Sequence, residues 1–104
     1  MDDFLQLETR IVEVLKNIYD PEIPVNVYDL GLIYDVRVND DHSVTITMTL
    51  TAPNCPIADE IVLMVKEGVE TVEDVKSVDI HLVFDPPWSK AMMTEEALLE
   101  LGLL

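Results

Sequence analysis

The chain has 104 residues, with six basic side chains against 21 acidic ones and a formal charge of −15. That length holds a single domain, 1–104, with a modest core, and the charge excludes a surface for nucleic acid or anionic membrane, because phosphates are held by Lys and Arg. One cysteine, Cys55, excludes an internal disulfide and a Cys-rich zinc site.

A lone free thiol suits a reducing compartment. Met1-Asp2-Asp3-Phe4 lacks the basic region and apolar stretch of a secretory signal. No apolar run approaches the roughly 20 residues that span a bilayer. A cytoplasmic protein is therefore expected, its acidic surface either a solubilising shell or a match for a basic partner.

Asp3 opens an Asp-x-x-Gln pattern that imitates a capping box, and Phe4, Leu7, Ile11, Leu15 and Ile18 then recur at helical spacing. The spacing predicts a helix over about 3–17. Asp20-Pro21-Glu22-Ile23-Pro24 ends it, since two prolines three apart hold the chain extended. Asp20, Glu22 and Asp29 sit in the loop that follows. Three carboxylates in an ordered loop suit metal ligation or partner contact, or else the capping of turns.

Leu30-Gly31-Leu32 leads into a first strand, with Leu32, Tyr34, Val36 and Val38 on one side and Ile33, Asp35 and Arg37 on the other. Asn39-Asp40-Asp41-His42 is a hairpin turn and has neither the Gly nor the distal Glu of a calcium loop. In the second strand Val44, Ile46, Met48 and Leu50 alternate with Thr45, Thr47, Thr49 and Thr51. The alternation predicts one buried face and one polar face, solvated or open for docking.

Thr51-Ala52-Pro53-Asn54-Cys55-Pro56 comes next. Pro56 fits the first position of a helix, which makes Cys55 its N-cap. The helix dipole there favours thiolate, while Asp59 and Glu60 one turn on oppose it. Ala58, Ile61, Val62, Val65 and Val69 give the buried stripe of this second helix, with Gly68 loosening its end.

A third strand is predicted over about 76–84, with Val78, Ile80, Leu82 and Phe84 turned to the core. Asp85-Pro86-Pro87-Trp88 then presents an aromatic on a stiff segment, either a partner anchor or a plug for the end of the core. The partner role is the expected one. A short helix from Thr94 is stopped by Gly102, and its surplus of leucines predicts self-association.

The order helix, hairpin, helix, strand, short helix predicts a two-layer α+β domain with a three-stranded sheet and both main helices on its apolar face. The helix between the second and third strands makes them run in the same direction, either paired directly or flanking the first.

Four segments, Asp20-Pro21-Glu22-Ile23-Pro24, Asp29-Leu30-Gly31-Leu32-Ile33-Tyr34, Thr51-Ala52-Pro53-Asn54-Cys55-Pro56 and Asp85-Pro86-Pro87-Trp88, together resemble the signature of the MIP18 family, which includes SufT-like and PaaD-like proteins. The resemblance runs over nearly the whole chain. Each motif alone is common, and the four in this order carry it. Asn54 stands where relatives often have Gly, and Asn tolerates a left-handed backbone better than most residues. The resemblance implies a fold similar to the NifU-like iron–sulfur assembly domain and a role in maturing iron–sulfur proteins. Iron–sulfur client and assembly proteins are the implied partners. Among the motif residues it implies Cys55 as the metal-binding thiol, assisted by Asp20, Glu22 or Asp29. It also implies a partner-binding surface from Asp20, Glu22, Asp29, Thr51, Asn54, Pro56, Pro87 and Trp88.

Clusters take about four ligands, mostly thiolates, and Cys55 supplies one. A cluster bridged between two subunits, or completed by a donor's thiols, satisfies that count. Carboxylates are hard ligands and poor partners for iron–sulfide. The expectation is thus a transfer or client-docking factor that holds iron or a cluster transiently, with no permanent cofactor. An enzyme needs a base beside the thiol; only His42 in the hairpin and His81 on an outward strand face are available, so none is expected. The alternative is a metal-free adaptor in which Cys55 is a small buried hydrophobe.

Overall fold

The computed structural model describes residues 2–20, 23–51 and 58–102. Its elements run α1 (Asp2–Leu15), β1 (Ile33–Val38), β2 (Ser43–Met48), α2 (Ala58–Glu70), β3 (Ser77–Leu82), a 3-10 turn (Lys90–Met92) and α3 (Glu95–Glu100). Helix, hairpin, helix, strand and short helix thus follow in the expected order. No helix among the described residues is long and apolar enough to cross a membrane.

The sheet has the order β1-β2-β3. β1 and β2 form the antiparallel hairpin, and β3 pairs with β2 in parallel, from Ser43↔Ser77 to Met48↔Leu82. The connection through α2 leaves β2 at one end of the sheet and enters β3 at the other, which is what a parallel pair requires. Direct pairing settles the strand order that the sequence left open.

Both main helices cover one face. Leu7, Ile11 and Leu15 of α1 and Ile61, Val65 and Val69 of α2 are buried against Val44, Ile46 and Met48 of β2. Each set follows the period of its element, 3.6 for the helices and 2 for the strand, so a two-layer core closes without a second cover. Gly68 is half-buried inside α2, and a Cβ there would lie 2.8 Å from Ile18 Cδ1. This glycine lets the segment after α1 approach the helix and does not end it. α2 runs on to Glu70.

The observed strands differ from the predicted pattern in two places. The register of β1 shifts between Ile33 and Asp35, so Ile33 opposes Met48 and joins Val36 and Val38 on the helix-covered face. The irregularity overrides strict alternation. In β3, Val78 is buried and Ile80 half-buried, but Leu82 and Phe84 are 39% and 41% exposed. They share the face of the core yet project past its covered part.

Candidate functional site

The two pairings of β2 bring three strand ends together. β1 begins at Ile33 opposite Met48, β2 ends at Met48, and β3 ends at Leu82 beside Met48. Backbone bonds carry both pairings further: Thr49 N–H donates to Leu32 O (2.8 Å) and Val83 N–H to Met48 O (2.9 Å). Three of the motif segments therefore start from one end of the sheet. Leu30–Ile33 enters β1, Leu50 and Thr51 leave β2 toward segment 52–57, and Asp85–Trp88 follows β3.

Side chains tie these segments to each other. Trp88 Nε1–H donates to the Leu30 carbonyl at 2.7 Å, and Tyr34 Oη donates to the Pro86 carbonyl at 2.6 Å. Thr94 N–H donates to Asp29 O at 2.9 Å, where Thr94 also caps α3 by accepting from Ala97 N–H. Gly31 has φ of +89°, a left-handed backbone that favours glycine, and a Cβ on it would lie 2.5 Å from the carbonyl oxygen of Met92. The glycine thus serves a close approach between the entry to β1 and the C-terminal segment. A shallow hollow of about 440 Å³ opens beside this contact, lined by Tyr28, Gly31, Ile33, Tyr34, Pro86 and Met92.

Asp29, which opens the second motif, is tied to the loop before it. Its carboxylate accepts from Asn26 Nδ2 (2.8 Å), while Asn26 Oδ1 accepts from Asp29 N–H (2.8 Å). Asp20 Oδ1 accepts from Ile23 N–H at 3.1 Å. Both aspartates are buried, and both hold the turns of the loop. A smaller hollow of about 170 Å³ lies here, lined by Pro24, Asn26 and Asp29 with Glu96 and Glu100 of α3. Among the described residues no group of three or more His, Cys, Asp and Glu is placed to hold a metal ion. For Asp20 and Asp29 the observed bonds are those of turn capping, the alternative set beside metal ligation in the sequence.

Trp88 is half-buried and packs against the core. With its indole N–H bonded to Leu30, it plugs the end of the core and ties the last loop down. This is the plug role that the sequence set beside the partner role. Thr51 and Pro87 are exposed. Glu22, Asn54, Cys55 and Pro56 lie outside the described residues, as does the predicted N-cap geometry of Cys55. Of the C-terminal leucines, Leu101 packs on the core beside buried Ala97, and Leu99 is 61% exposed.

One member of this end gave no distinct signal in the sequence. Thr49 belongs to the alternating Thr face, on which Thr45 and Thr47 are half-buried, yet Thr49 is fully buried and its hydroxyl has no hydrogen-bond partner among the described residues. An orphaned buried hydroxyl carries an uncompensated desolvation cost of about 1 kcal/mol. It stands two residues before Thr51, where the chain leaves the sheet for the cysteine-bearing segment.

A small α+β domain thus brings the entry to β1, the exit of β2 and the segment after β3 to one sheet end, with its single thiol in the connection between β2 and α2. The family model for iron–sulfur cluster assembly proteins matches residues 8–81, and the chain belongs to that family. It is 62% identical over 103 residues to the Fe-S protein maturation auxiliary factor of Porphyromonas gingivalis, covering 99% of this chain and 98% of that protein. It is 39% identical over 97 residues to the Fe-S protein maturation auxiliary factor YitW of Bacillus subtilis, covering 93% and 95%. Among solved structures, a domain of unknown function from Bacillus anthracis superposes with a TM-score of 0.90 at 36% identity, over 98% of this chain and 97% of that one.

Proposed function

We propose that this protein matures iron–sulfur proteins in the cytoplasm, with iron or a cluster as transient cargo at Cys55 and client and assembly proteins as partners. The observation that carries the reading is the gathering of strand ends around Met48, which brings the flank of the cysteine segment together with the segments of Gly31 and Trp88. Thr51 and Pro87, both exposed there, form the rim on which a client docks. The reading contains no catalytic turnover. His81 is an exposed strand residue paired with Asp79 at 2.9 Å, and His42 sits in the hairpin turn with φ of +70°. Self-association belongs to the proposal too, the leucine-rich C-terminus being the surface the sequence suggests for it, with Leu99 exposed.

The test is Cys55→Ser, read by client activation, by iron retention after anaerobic reconstitution with iron and sulfide, and by denaturant midpoint. A serine hydroxyl is not ionised near neutral pH and cannot replace a thiolate as a soft-metal ligand. Its cost to stability is at most about 1–3 kcal/mol if the sulfur is buried, and less at a helix N-cap. The expected outcome is a similar midpoint with iron retention and client activation lost. Wild-type client activation by the Ser variant would overturn the transfer mechanism and leave the metal-free adaptor in its place.

A further inference from the structure

A three-stranded sheet has two edges, and here they differ. In the parallel ladder Val83 donates to Met48, so the odd-numbered residues of β3 aim their N–H and C=O groups at β2. Val78, Ile80 and Leu82 therefore aim theirs at the open edge, where no backbone partner lies among the described residues. Native sheets blunt such edges with bulges, prolines or inward charges. β1, the other edge, carries a register irregularity between Ile33 and Asp35. β3 carries none: its six residues pair without a break and include no proline.

The sequence of β3 is also complementary to itself. An antiparallel copy placed by a two-fold axis at Ile80 sets Ile80 against the partner's Ile80, a pair that exchanges both backbone bonds because both residues aim their groups outward. Val78 then opposes the partner's Leu82, and the exposed end of each strand gains an apolar neighbour. On the other face Asp79 opposes the partner's His81, and His81 the partner's Asp79. These are non-hydrogen-bonded positions, where cross-strand side chains come closest.

We propose that β3 is the self-association edge of this protein, joining two copies through an antiparallel β3–β3 pairing centred on Ile80 into one six-stranded sheet. A second copy is the occupant that the reciprocal Asp79–His81 order and the Val78–Leu82 match select. The two-fold turns the motif ends of the two sheets in opposite directions. The motif end of each copy is therefore left free of the pairing. The proposal stands on the sheet geometry and not on the maturation reading. With a formal charge of −15 on each chain, long-range repulsion opposes pairing, so association strengthens with salt as the screening length falls from about 8 Å at 0.15 M to about 3 Å at 1 M.

The experiment follows amide hydrogen exchange and sedimentation equilibrium on the full chain from about 1 µM to about 1 mM, the range in which modest edge pairing is populated. The Val78, Ile80 and Leu82 amides are expected to gain protection together with the rise in mass. The Val36 amide, which faces away from β2 on the opposite edge, stays unprotected. His81→Glu places like charges across the two-fold twice and weakens pairing about tenfold, and Asp79→Lys, which removes the carboxylate that faces the partner's His81, weakens it too; the double variant restores it. Leu82→Pro removes an N–H that has no internal partner and blocks the pairing. A monomer throughout the range would overturn the proposal. So would a dimer whose three amides exchange freely, or a double variant as weak as the single ones.

Discussion

The two ends of the sheet are built on different principles. At the hairpin end the bonds that close the turn are local. Asn39 N–H donates to Ser43 O, His42 N–H to Asn39 O, and Asp41 Oδ1 accepts from both the backbone N–H and the hydroxyl of Ser43, bonds that lower the Asp41 carboxyl below its ordinary pKa. Lys76 N–H donates to His42 O and seats the start of β3 on the same turn. At the motif end the ties are long-range: Trp88 to Leu30 spans 58 residues and Tyr34 to Pro86 spans 52. That end also holds the exposed Leu82 and Phe84 and the unpartnered Thr49 hydroxyl. A turn closed by its neighbours forms as soon as its residues meet. An end held by distant segments keeps its shape only when the whole fold is in place, so defects there should unfold the site together with the core.

Gly31→Ala should break the motif end most. The new Cβ meets the Met92 carbonyl oxygen at 2.5 Å and the Met92 Cβ at 2.8 Å, on a backbone of positive φ. Left-handed strain and overpacking together should cost about 2–4 kcal/mol, visible as a lower denaturant midpoint. An alanine at the exposed Asp40 in the hairpin turn, a residue with no comparable contact, should change the midpoint by about 0.5 kcal/mol or less. Equal losses at the two positions would erase the contrast.

Trp88→Phe comes next. It keeps an aromatic ring against the core and removes the indole N–H, leaving the Leu30 carbonyl unpaired. A loss of about 1–2 kcal/mol is expected, and Trp88→Ala should lose more because the ring's packing goes too. Client pull-down by the Phe variant should then remain near wild type. Full stability with lost pull-down would restore the ring as a partner anchor.

The sequence revealed the regular parts and hid the joints. α1, β2 and α2 were legible because their apolar residues recur at the periods of helix and strand and nothing interrupts them. β1 was misread at Ile33 because a register shift leaves no mark in composition. Gly68 was misread as a loosened end because a glycine that makes room for Ile18 looks the same in sequence as one that frays a helix. Leu82 and Phe84 continued the alternation of β3, but alternation tells which face a residue shares and not how far the covering helix reaches. The motifs were visible as proline and glycine clusters. Their meeting at one sheet end was not, since it depends on β3 pairing directly with β2, a choice made by tertiary packing.

Thr49→Val is the smallest effect and sharpens the comparison most. Valine has nearly the shape of threonine, so the packing at this fully buried position is kept while the hydroxyl is removed. A hydroxyl without a partner contributes only its desolvation cost, and its loss should raise stability by about 0.5–1 kcal/mol. The same change at Thr47, half-buried on the same strand face, supplies the control: there solvent reaches the side chain, and the midpoint should stay within about 0.5 kcal/mol of wild type. The measurement is a pair of denaturant titrations with unchanged slope, so that the shift reports stability and not compactness. A gain at Thr49 alone would show that the motif end keeps an unsatisfied group which the hairpin end, with Asp41 and Ser43 matched, has no counterpart for. A loss of about 1 kcal/mol or more would mean that the hydroxyl has a partner after all, and the two ends would then differ in the reach of their bonds but not in their completeness.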